Sequence, residues 1–146
     1  MNRCLSLAVA ILLATPSLAK TQQFAEVTIN ASDYAYINPP PSVKAGLTAF
    51  ALVNKGAMLH EMVLLRPKPG IRPDSVARAW AAGAPPQETV EPPDGVLIAP
   101  PGTTGSGRLL VKLERGQTYM IMCNLRDKPE KPAHVALGMF TSFQVK

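Results

Sequence analysis

Cys123, His134 and Met139 lie close together in the stretch T-Y-M-I-M-C-N-L-R-D-K-P-E-K-P-A-H-V-A-L-G-M-F-T-S-F-Q-V-K, residues 118–146. A thiolate, an imidazole and a thioether are the ligands that suit copper in electron-transfer sites. Such a site needs a second imidazole, and the sequence has one other histidine, His60. Cu(II) prefers tetragonal nitrogen and oxygen ligands, whereas Cu(I) accepts soft sulfur. A trigonal plane of two histidines and a cysteine, with a weak axial methionine, is a compromise that either state tolerates. An electron can then enter or leave with little nuclear movement. Cys123 would bind as thiolate, and His60 and His134 each through one ring nitrogen, with the other nitrogen oriented by a neighbour.

The elements that must position these groups are short strands. Tyr119–Cys123 and Phe140–Val145 are apolar runs on either side of a Pro/Lys/Asp loop, so three of the four groups belong to one strand–loop–strand unit. Phe24–Ala31 alternates apolar and polar residues, Tyr34–Ile37 extends it or forms a short edge, and Pro39–Pro41 breaks the ladder. Leu47–Asn54 is a strand closed by the turn Asn54-Lys55-Gly56. Met58–Arg66 is the next, and its alternation would put Met58, His60 and Met62 on one face. Asp74 is placed to cap a helix over Ser75–Ala82 that Gly83 closes. Val96–Ala99 and Arg108–Leu113 complete the set. Short strands punctuated by Pro and Gly, with one short helix in a long connection, predict an all-β, antiparallel Greek-key β-sandwich.

The first residues read differently. Arg3, the apolar run Leu5–Ala14 and Ser17-Leu18-Ala19 have the order of a secretory signal. Cleavage is expected after Ala19, leaving a single domain over 20–146 in the periplasm or otherwise exported. The apolar run falls short of the roughly 20 residues needed to span a bilayer, so no stable membrane insertion is expected once it is removed. Of the two cysteines, Cys4 would leave with that segment. Cys123 is then unpaired in an oxidising compartment, which suggests a metal ligand, a reactive thiol or an intermolecular bond. Loss of Arg3 takes the formal charge from +5 to +4. The basic residues are scattered, without interleaved aromatics, which argues against nucleic acid.

Two segments resemble the cupredoxins. Val53–His60, V-N-K-G-A-M-L-H, is similar to the Asn-x-Gly-x-x-x-His stretch that delivers the first copper histidine in that family. The order Cys123-Asn124, His134, Gly138-Met139 and a last aromatic-containing strand resembles the ligand loop of plastocyanin/azurin-type and sulfocyanin-like small blue copper proteins. The resemblance covers about residues 47–65 and 107–146. It implies one type 1 copper held by His60, Cys123, His134 and axial Met139, cycling between Cu(I) and Cu(II). It further implies single-electron transfer through a surface-exposed His134, ringed by Pro132, Ala133 and Pro39–Pro41, to a cytochrome or a copper oxidase or reductase. The sequence departs from the family pattern in two places. Ten residues separate Cys123 from His134, more than family loops usually hold, and Glu61 stands where many members carry Asn or Ser.

Other chemistries fit less well. His60-Glu61 lacks the second histidine of a zinc protease, and Cys123 lacks the activating base and orienting group of a thiol hydrolase, so no enzyme is expected. Arg126, Lys128 and Lys131 read as a solvated face, and Trp80 as cover for the sandwich. The alternative within copper biology is a periplasmic Cu(I) carrier or chaperone that uses the Met58–His60–Met62 face.

Overall fold

The computed structural model describes residues 24–146; its longer strands fall where the apolar runs predict them, and a two-residue strand after the Pro39–Pro41 break is added to them. The expected signal segment, its cleavage site and Cys4 lie outside the described residues. In chain order the strands are β1 (Ala25–Ser32), β2 (Ala35–Ile37), β3 (Ser42–Val43), β4 (Gly46–Asn54) and β5 (His60–Leu65), followed by helix α1 (Pro73–Ala81). After it come β6 (Gly95–Ala99), β7 (Leu109–Leu113), β8 (Thr118–Met122) and β9 (Phe140–Val145).

These strands make two sheets, ordered β2-β1-β4-β7 and β3-β9-β8-β5-β6. The sandwich is therefore as expected, but both sheets are mixed. β1 runs parallel to β4, with Val27 opposite Phe50, and β3 runs parallel to β9, with Val43 opposite Val145. Between β1 and β4 the chain passes to the other sheet as β3 and returns, which supplies the crossover a parallel pair requires.

The core forms between the sheets. Ile29, Phe50, Leu52, Leu64, Tyr119, Ile121 and Phe143 are buried there together with Cys123 and Met139. The Tyr119 and Phe143 rings stack 5.7 Å apart and Phe143 meets Phe50 at 5.9 Å, pairings that add to the burial of large aromatic area. β8 is buried on both faces, which explains its unbroken apolar sequence. Tyr119, Ile121 and Cys123 belong to the inner core, whereas Met120 and Met122 face a second cluster with Leu65, Val76, Ala77 and Val135. α1 lies over that outer face, so the helix makes a partial third layer, and Trp80 packs at its margin as sandwich cover.

Two local expectations change. The helix begins two residues earlier than predicted, with Pro73 at its first position, Arg72 as N-cap and no side-chain cap bond. Pro fixes the helical φ and lacks the N–H that would need capping, so Asp74 sits in the first turn, where its charge favours the helix dipole. β5 begins at His60, which leaves Met58 in the preceding turn. A common Met58–His60–Met62 strand face is absent for that reason. Among the described residues no helix is long and apolar enough to cross a membrane.

Candidate metal centre

β5 and β8 are antiparallel, with Val63 opposite Met122, so the start of one and the end of the other lie at the same end of the sandwich. His60 opens β5 and Cys123 follows β8, which brings side chains 63 positions apart to one place. Asn54 fixes the approach to His60. Its side-chain amide is buried and donates to the carbonyls of Met58 at 2.7 Å and Ala99 at 2.9 Å, while its Oδ1 accepts from the Gly56 N–H. Ala99 is the β6 partner of His60, so one amide ties the turn, the neighbouring strand and the histidine together. Gly56 is needed for close approach, since a Cβ there would overlap the Asp33 carboxylate, which accepts from the Ala57 N–H at 2.8 Å.

His60 is fully buried, and neither of its ring nitrogens has a hydrogen-bond partner among the described residues. Asp33 Oδ1 lies 3.8 Å from Nε2, too far for a hydrogen bond. Burial lowers the His60 pKa, and the nearby His134 adds to the effect while Asp33 opposes it. The imidazole is thus neutral, desolvated and unpartnered, a combination that costs free energy unless a ligand answers it.

The Cys123 thiol is free and buried. Its Sγ accepts from the Glu61 backbone N–H at 3.4 Å and lies 3.3 Å from His134 Nδ1. Burial pushes its pKa up to about 11, against the help of the backbone N–H groups of Glu61 and Leu125. Glu61 also answers the second departure noted in the sequence. Its Oε1 accepts from the Asn124 N–H at 2.8 Å, so a carboxylate pins the start of the ligand loop to β5.

His134 opens a 3-10 turn over His134–Leu137, inside the loop expected between the last two strands. Its N–H donates to the Leu125 carbonyl at 2.8 Å. Gly138 closes the turn at φ 100°, a left-handed conformation that suits glycine. The chain therefore doubles back. The Met139 N–H donates to the His134 carbonyl at 3.0 Å, and the Met139 carbonyl accepts from the Cys123 N–H at 3.1 Å. Met139 is fully buried beside Cys123 in the inner core. The Gly-Met spacing thus has a local cause: one tight turn, closed by a glycine, returns the methionine beneath the histidine.

One ligand atom each from His60, Cys123 and His134 lies within 4.8 Å of the others, and all three residues are buried. The rings of His60 and His134 are 5.1 Å apart. Two imidazole nitrogens and a thiol sulfur, one imidazole unpartnered among the described residues, fit a single N/S-bound transition-metal ion.

His134 is not surface-exposed, as the resemblance implied, but 1% accessible. Its outer nitrogen Nε2 lies 2.8 Å from Asp127 Oδ1, and Asp127 Oδ2 accepts from the Tyr34 hydroxyl at 2.6 Å. The Tyr34 ring meets the imidazole edge-on at 5.1 Å. The Tyr34 and His134 hydrogen bonds hold the Asp127 carboxyl below the usual range, so it is an anion at neutral pH. Tyr34 and Asp127 escaped the sequence reading, and Asp33 with them. An aspartate between Arg126 and Lys128 carries no local mark of such a role.

The two sheets, the inner core and the buried His–Cys–His cluster at one end define a cupredoxin fold. No protein-family model and no curated protein matches the sequence. Among solved structures the chain is similar to the auracyanins. It is 18% identical to dithionite-reduced auracyanin from the photosynthetic bacterium Roseiflexus castenholzii, with a TM-score of 0.56 over 84% of this chain and 97% of that one. Auracyanin B gives 19% identity and 0.55 over 84% and 88% of the two chains. Auracyanin A from Chloroflexus aurantiacus, described as a "blue" copper protein, gives 18% and 0.52 over 84% and 100%.

Proposed function

We propose that this chain is an exported type 1 copper protein that carries single electrons between redox partners. The observation that carries the reading is the convergence of His60, Cys123 and His134, buried and within 4.8 Å, with both His60 ring nitrogens unpartnered. His60, Cys123 and His134 would hold the ion, and Met139, backed onto both Cys123 and His134 by main-chain hydrogen bonds, would add a thioether sulfur. Bound copper supplies a one-electron couple. The chain's own part is to hold its donors rigidly, so that little moves when the charge changes. β5, β8, the Asn54 amide and the Glu61 carboxylate do this before any metal arrives. Export rests on the signal-like first 19 residues, with cleavage after Ala19. The partners on this reading are a cytochrome or a copper oxidase or reductase, met through small transient contacts.

Titration of the purified domain with Cu(II), read by visible absorption and EPR, tests the reading. One copper per chain with an intense thiolate-to-copper band and a narrow copper hyperfine splitting is expected, and Cys123→Ser should lose the band. Colourless Cu(II) binding, or none, would overturn it.

A further inference from the structure

The ten residues between Cys123 and His134 fold over the site. The Arg126 guanidinium donates to the Lys131 carbonyl, the Lys131 N–H donates to the Lys128 carbonyl, and the His134 N–H donates to the Leu125 carbonyl. This compact loop sets the Asp127 carboxylate between the hydroxyl of Tyr34 and Nε2 of His134. Tyr34 comes from a turn 93 positions earlier, between β1 and β2. Its backbone is unusual as well. With φ at 60° it occupies the left-handed region, uncommon for a bulky side chain. Such a conformation persists only where the surroundings enforce it. Here the two-residue hairpin loop between Ser32 and Ala35 calls for it, and it carries the ring to His134 and the hydroxyl to Asp127. A three-member hydrogen-bond chain and an aromatic edge contact meet on one imidazole.

We infer that Asp127 and Tyr34 are positioning residues for His134, fixing which nitrogen faces Cys123 and setting how strongly that nitrogen donates to a metal. The inference rests on the copper reading for its redox part. Asp127 accepts only, so His134 must carry its proton on Nε2. Nδ1, 3.3 Å from Cys123 Sγ, is then left with its lone pair directed into the donor cluster. The carboxylate also pushes negative charge into the ring, which makes Nδ1 a stronger donor and favours the higher oxidation state of a bound ion. Tyr34 works in the opposite sense. By donating to Asp127 it spreads the carboxylate charge and moderates what reaches the imidazole.

The two residues therefore have effects of opposite sign, which a merely structural role would not produce. Asp127→Asn keeps an acceptor but removes the charge. Cu(II) affinity should fall about 10–100-fold with Cu(I) affinity much less changed, and the reduction potential should rise, by about 59 mV per tenfold change in their ratio. Tyr34→Phe keeps the ring over His134 and removes the donor, so the potential should fall. A shift of the same sign in both variants, or none in either, overturns the inference. An arm without metal uses nitrogen-15-labelled apo-protein and long-range proton–nitrogen correlation. His134 should be a single Nε2–H tautomer in the wild type and Asp127→Asn, and a mixture in Asp127→Ala. A wild-type Nδ1–H tautomer would overturn the positioning role whatever the metal does. Failure of the wild type to develop the charge-transfer band would instead sink the copper reading, and the tautomer would still decide the positioning.

Discussion

Cys123 shows how one buried atom ties the candidate site to stability. Its thiol has an ordinary pKa of 9.0, and burial raises it to about 11 in the folded chain. The folded state therefore keeps a proton that the unfolded state gives up as pH rises. The stability is fully present below about pH 9 and is lost progressively as pH climbs toward about 11. Thermal unfolding of the metal-free protein across this window should show the loss, and Cys123→Ser should remove this component of it. The same proton has to leave when a metal takes the sulfur. On the copper reading, Cys123 releases one proton on loading at neutral pH, and pH-stat measurement should find one fewer released in Cys123→Ser. Asn54 is the other residue on which much depends, because its amide answers two carbonyls and an N–H at once. Asn54→Ala should cost about 1–3 kcal/mol, measured by urea denaturation; an unchanged midpoint would mean the turn does not need it.

Among the elements, the turn at His134–Gly138 is the most exacting. Gly138 stands at φ 100° with no neighbouring atom where a Cβ would go, so a side chain there meets backbone strain and no clash. Gly138→Ala should therefore lose roughly 1–2 kcal/mol and shift Met139 relative to His134, seen as a changed midpoint and, with copper bound, a changed visible spectrum. Gly56 differs, because there the added methyl would collide with Asp33. How much of this was legible in the sequence follows from the range of each signal. His60, Cys123 and His134, which the structure brings together, stood out because histidine and cysteine are scarce in this chain. Strand positions were legible because apolar alternation is local. The helix start was misread because Asp74 looks like a cap, whereas Pro73 sets the first turn. Asp127 and Tyr34 were hidden because their role exists only across 93 positions. The parallel pairings of β1 with β4 and β3 with β9 were hidden because strand pairing, unlike apolar alternation, leaves no local mark.

At the scale of the whole molecule, two sheets and a covering helix hold a small cluster of desolvated donors at one end. A ligand that binds the folded chain and not the unfolded one raises stability by mass action, about 2.7 kcal/mol when free ligand stands at a hundred times Kd. On the copper reading the loaded protein should therefore melt at a higher temperature than the metal-free one, and scanning calorimetry with and without copper would measure the gap. β9 comes late in the chain yet lies inside its sheet, between β3 and β8. The ligand turn directly precedes it. A nascent chain that has just emerged from the ribosome as far as Met139 already carries His60, Cys123, His134 and Met139, but β3 and β8 are still unjoined. On the copper reading, order of synthesis thus separates possession of the ligands from possession of the site, and metal uptake belongs after translation has passed Val145.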